Sequence, residues 1–188
     1  NSLIGRVVTR PGVIRPTTKS PVLVFHPDDA RWFTDDRILP GLIRSTVASA
    51  DTRSLHLVPE ATLPRGLAIL DAPDIDSVVE ENRRLAAQLL SAADLWLFVT
   101  SAARYADAVP WEYLASAVER SAAVAVVVDR VPPAAMAEVP PHLGQMMTER
   151  GLATSPLFAV PETTTDADGM LPDSAVSPAP RTAARSPA

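Results

Sequence analysis

Three aspartates, Asp71, Asp74 and Asp76, follow a short apolar run within six residues of one another. The run itself, residues 67–70 (L-A-I-L), shows no polar alternation, which predicts a strand buried on both faces of a parallel sheet. Ala72-Pro73 ends the strand, and Ser77 and Glu80 then stand in the S-x-x-E spacing of a helix-capping box. Ligands in open α/β sheets bind beyond the carboxyl ends of the strands. Carboxylates gathered at such an edge suit a magnesium ion and a phosphate, because hard cations take oxygen ligands. The same residues also read as a solvated turn whose aspartate caps the next helix. A second acidic residue, Asp129, ends the apolar run V-A-V-V-V at residues 124–128 and is followed by Arg130. His26, His56 and His142 are scattered without ligand spacing, and no G-x-S-x-G or cysteine offers an acyl-transfer nucleophile.

The elements that must position these groups alternate in type. Residues 1–5 (N-S-L-I-G) read as the last turn of a helix stopped by a glycine. After a loop over residues 6–18, residues 21–25 and 55–58 read as two strands paired with each other. Pro27 and the Asp28-Asp29 pair open a short helix burying Trp32 and Phe33, and residues 38–47 suggest a second helical piece. Beyond the aspartates, Val78, Leu85 and Leu89 with Val79, Ala86 and Leu90 make a helical stripe. Residues 95–99 (L-W-L-F-V) and 124–128 are further buried strands, and residues 157–160 are a last strand, ended by Pro161. Between them, a helix begins at Pro110 with Trp111, Leu114, Ala115 and Val118 on one face. Pro132-Pro133 restarts a helix that Pro140-Pro141 interrupts, predicting two short helices. Trp32, Trp96 and Trp111 are expected in the core. This is an α/β pattern: a mostly parallel sheet with helices on both faces. From about Pro172 the chain is Ser, Pro, Ala and Arg, a composition that predicts disorder.

Composition narrows the classes. The 188 residues suffice for one buried domain plus a tail, and 47% of them are hydrophobic. No apolar run approaches the roughly 18–20 residues that span a bilayer. A net charge of −5 argues against a nucleic-acid partner held through phosphates. Without cysteine, disulfides and thiolate metal sites are excluded. No secretory signal is visible, so a cytoplasmic location is expected. Lys19 is the sole lysine, and with the high Ala and Pro content this arginine bias is that of a GC-rich genome.

In this order, the residues 1–164 resemble a P-loop GTPase of the Era-like and dynamin-like (TRAFAC) group, with residues 165–188 as a tail. N-S-L-I-G resembles the end of the helix after the phosphate-binding loop. R-P-T-T-K resembles the first switch, which implies Thr18, or Thr17 one register earlier, as a ligand of Mg2+ that senses the third phosphate. L-D-A-P-D resembles the D-x-P-G motif of the second switch, implying that Asp71 holds Mg2+ through a water and that Asp74 stands near the γ-phosphate. V-V-V-D-R resembles the N-K-x-D base-recognition strand, implying Asp129 and Arg130 in a nucleotide pocket, and F-A-V-P-E-T falls where the last base-contacting loop would be. Residues 67–133 resemble, more closely still, a group of uncharacterised bacterial GTPase-domain proteins. The resemblance implies GTP as ligand, Mg2+ as cofactor, catalysis through Thr18 and Asp71, and leaves room for a homodimer. Catalysis of that kind needs an ion, oxygen donors and a held water.

Three departures limit what the resemblance implies. The phosphate loop G-x-x-x-x-G-K-[ST] does not occur in the sequence, and truncation just upstream of Asn1 is the simplest expectation. Asp74 stands where the family has glycine, and Val131-Pro132 replaces the base-reading aspartate. In the family, a further strand lies between the strands at residues 67–70 and 95–99, so those two are expected to face an empty slot. The isolated chain is therefore expected to fold poorly and to bind nucleotide immeasurably. A degenerate, non-catalytic nucleotide-binding or assembly module is the alternative function. A phosphatase reading of D-I-D-S-V is weaker, because Asp74 lies past the strand and behind Pro73.

Overall fold

The computed structural model describes residues 1–8, 20–48, 51, 53–72, 80–120 and 122–176. Its strands form two sheets rather than the single sheet expected. The first has four strands in the order β2-β3-β1-β4: β1 (Val22–Phe25), β2 (Ile43–Ser45), β3 (Ser54–Pro59) and β4 (Ala68–Asp71). The expected pairing of the two early strands is present and parallel, with Val22 opposite His56, whereas β4 runs antiparallel to β1, with Asp71 opposite Val22. The second sheet is wholly parallel, in the order β5 (Leu95–Ser101), β6 (Ala123–Val131) and β7 (Leu157–Pro161).

Helices cover these sheets unequally. β1 is buried on both sides: Leu23 and Phe25 pack with Leu55 and with Leu85 and Leu89 of α1 (Glu80–Ser91), while Val22 and Val24 meet Leu63, Ile4 and Val8. On the second sheet, Trp96, Val124, Val126 and Val128 point at α2 (Ala108–Glu119) and α3 (Val139–Glu149), burying Trp111, Leu114, Ala117, Leu143 and Met147. The opposite face of β5 is open, with Leu95, Leu97 and Val99 exposed by 58%, 42% and 56%. The expectation of strands buried on both faces thus fails for β5. It fails for β4 also, whose residues are all only half-buried. The physical reason is shared: among the described residues each of these strands has a neighbour on one side only.

Other differences are local. Residues 38–47 are not helical: Leu39 (φ 55°) and Gly41 (φ 85°) turn the chain left-handed around Pro40, and β2 follows. Arg44 holds that turn, donating to the carbonyls of Ile38, Leu39 and Leu42. Trp32 is 47% exposed rather than core, because its ring lies under the guanidinium groups of Arg31 and Arg37 at 4.8 and 5.8 Å. Phe33 alone packs inward, 5.0 Å from Phe25. Trp96 and Trp111 are buried as expected, and each indole N–H is satisfied by a carbonyl, of Leu90 and Tyr105 respectively.

α2 starts two residues before Pro110 and buries Ala117 rather than Ala115. Two short helices follow β6 as expected, a 3-10 turn at Pro133–Ala135 and then α3, although Pro140-Pro141 lies in the first turn of α3, where the lack of an N–H costs nothing, and not between the two. The turn at residues 1–5 closes with the Ile4 and Gly5 N–H groups on the Asn1 carbonyl, and Gly5 has a φ of 72°, as its capping position demands. Within the expected tail, residues 173–176 form the single-turn α4 (Asp173–Val176), and the Leu171 N–H donates to Ser2 Oγ at 2.9 Å. The capping box at Ser77 and the stripe residues Val78 and Val79 lie outside the described residues. Among those described, no helix is long and apolar enough to cross a membrane.

Candidate functional site

A cavity of about 1010 Å³ opens between β4 and β5 and is lined along the whole of both strands. Asp71 reaches it from the last position of β4, Ser101 from the end of β5, and Asp129 and Arg130 from the end of β6. Asp71 and Asp129 thus share one cavity although they belong to different sheets. Asp71 is half-buried in its place opposite Val22.

The end of β6 is irregular at the residues of interest. β6 pairs regularly with β7 up to Val128 opposite Ala159, and pairing resumes at Val131 opposite Pro161. Asp129 and Arg130 therefore oppose Val160 alone, a β-bulge, and Arg130 takes a φ of 50°. Bulges re-aim side chains beside sites, and a non-glycine residue in the left-handed region stores strain. The Arg130 Nε donates to Asp129 Oδ1 at 3.4 Å, and the Asp129 carbonyl accepts from the Ala102 N–H at 3.0 Å. That second bond ties the bulge to the loop that carries Arg104.

Arg104 forms a surface ion pair with Asp107 at 3.0 Å. Its neighbour Tyr105 hydrogen-bonds through its hydroxyl to His142 Nδ1 at 2.8 Å. The other rim of the cavity carries Trp32, Leu67, Asp29 and Gly66, and the Gly66 N–H donates to Asp29 Oδ2 at 2.7 Å. Sequence reasoning missed Trp32 and the left-handed Arg130, and neither has a local sequence signal that would reveal it. The exposed Trp32 is a consequence of how the turn packs, and bulges at Asp129-Arg130 depend on β7.

Thr17, Thr18, Asp74 and Asp76 lie outside the described residues. Among the described residues no three acidic or histidine side chains come together as a ligand cluster. A magnesium ion bound with a nucleotide does not require one: it keeps several waters and takes one or two carboxylates beside the phosphates. Asp71, one of five aspartates that line the cavity, fits that donor set. The chain matches no protein-family model, no curated protein and no solved structure.

Proposed function

We propose that this chain is the switch-bearing part of a magnesium-dependent domain that binds and hydrolyses GTP. The supporting observation is that Asp71, Asp129 and Arg130 all line one cavity, as ligand groups at strand ends would. In this reading Asp71 holds a water of the ion, and Thr18 contributes its hydroxyl to the ion and its backbone to the third phosphate. Asp129 and Arg130, presented by the bulge, contact the nucleotide. Bound Mg2+ would neutralise charge developing on the phosphate oxygens. With no G-x-x-x-x-G-K-[ST] in the 188 residues, the phosphate-cradling N–H groups must come from elsewhere.

The test is GTP hydrolysis by the protein expressed from its complete reading frame, compared with Thr18→Ala and Asp71→Ala. Losing a positioned oxygen donor of this kind should slow turnover by about 10²-fold. Unchanged rates in both variants end the assignment. A second reading, the non-catalytic assembly module, is favoured by the pairing of Asp129 with Arg130 and by the apolar lining of the cavity. Nucleotide binding without turnover, indifferent to Asp71→Ala, would select it.

A further inference from the structure

We propose that Ser101 and Asp129 together bind a sugar hydroxyl of the nucleotide and so select ribonucleotides over their deoxy counterparts. The inference rests on the nucleotide reading above and adds Ser101 to its binding groups. Ser101 ends β5 in register with Asp129 of β6. Register partners on neighbouring strands point to the same face, about 4.8 Å apart. That face is the open one: Val99 and Val127 are the preceding pair on it, and Val99 is 56% exposed. Ser101 and Asp129 both line the cavity. Ser101 is nonetheless only 6% exposed. Its carbonyl accepts from the Arg104 and Tyr105 N–H groups, each at 2.9 Å, while its hydroxyl makes no hydrogen bond among the described residues. A buried hydroxyl without a partner is unfavourable, so this one is left for a ligand.

The chemistry of the pair chooses the group. The Asp129 side chain is 35% exposed, and its bond to Arg130 is long at 3.4 Å. An ionised carboxylate only accepts hydrogen bonds, whereas a serine hydroxyl donates as well. A single ligand atom that serves both must donate to Asp129 while accepting from Ser101. Phosphate oxygens accept only, and the carboxylate repels them. The N–H groups of a base donate but leave the serine proton unpaired. Sugar hydroxyls do both through one oxygen, and a carboxylate on a ribose hydroxyl is a recurring contact in dinucleotide sites.

The test is titration calorimetry of the protein expressed from its complete reading frame, with magnesium, against GTP and against 2′,3′-dideoxy-GTP. The parent should bind GTP at least about tenfold more tightly, as the loss of a hydrogen bond to a charged group predicts. Ser101→Ala should narrow that preference about fivefold, weakening GTP and leaving the dideoxy nucleotide unchanged. Ser101→Thr keeps the hydroxyl and should keep the preference. A purely structural serine would shift both ligands together, because misfolded protein binds neither. Equal binding of the two nucleotides by the parent, or an unaltered preference in Ser101→Ala, overturns the inference and leaves the nucleotide reading standing. Binding of neither nucleotide by the parent ends that reading and the inference with it.

Discussion

Arg130 offers a direct test of the bulge that shapes the candidate site. Its φ of 50° places a long side chain in the left-handed region, at a cost of about 1–2 kcal/mol over the right-handed conformation. Glycine removes that cost but gives back about 0.5–1 kcal/mol through its freer unfolded chain. The ion pair to Asp129 is between neighbours, at 3.4 Å and largely solvated, so its loss costs at most about 1 kcal/mol and commonly much less. Arg130→Gly should therefore remain within about 0.5 kcal/mol of the parent. Arg130→Val should fall below both the parent and the glycine variant, because a β-branched residue is a true outlier at positive φ. Urea unfolding followed by tryptophan fluorescence reads both, since Trp96 and Trp111 sit in the cluster that packs on β6. A valine variant as stable as the glycine variant would refute the claim that the bulge imposes strain at this position.

Two further outcomes follow from the core and from one buried carboxylate. Leu114 of α2 is 1% exposed in the cluster between α2, α3 and the second sheet, so Leu114→Ala should lower unfolding stability by about 2–5 kcal/mol; a loss under about 1 kcal/mol would mean that this helix does not pack as described. Glu60, buried just after β3, accepts from the Thr62 backbone N–H at 3.1 Å, from the Thr62 hydroxyl at 3.0 Å and from Arg6 at 2.8 Å. These bonds, the backbone one foremost, hold its carboxyl below the ordinary glutamate value of about 4.5 against the opposing effect of burial. A lowered folded value stabilises above the unfolded pKa and is lost as pH falls through the folded one. The melting temperature should thus drop on acidification below about pH 4.5, and Glu60→Gln should flatten that part of the profile; an unaltered profile would rule out Glu60 as its source.

Much of the secondary structure was legible because it rests on short-range patterns. The runs V-A-V-V-V and L-W-L-F-V are strands wherever they go, and the spacing of Trp111 and Leu114 marks a buried helical face. Asp71 and Asp129 at strand ends were legible for the same reason, as the first polar residues after an apolar run. The errors came where neighbours distant in sequence decide the outcome. Residues 38–47 have helix-compatible side chains, yet the left-handed Leu39 and the Arg44 bonds to three carbonyls turn them into a strand approach. Trp32 looked like core by its type, but two arginines cover it at the surface.

By itself the sequence determined most of the strands and helices, though not β2, which residue types end those strands, and that no phosphate loop of the P-loop form is among them. Only the tertiary structure decided that the strands divide into two sheets, that β4 turns antiparallel to β1, and that the β6 bulge and Asp71 share one cavity. Local propensity and hydrophobic period act within a few residues of each other, whereas sheet partnership and exposure are set by backbone hydrogen bonds between segments far apart in the chain.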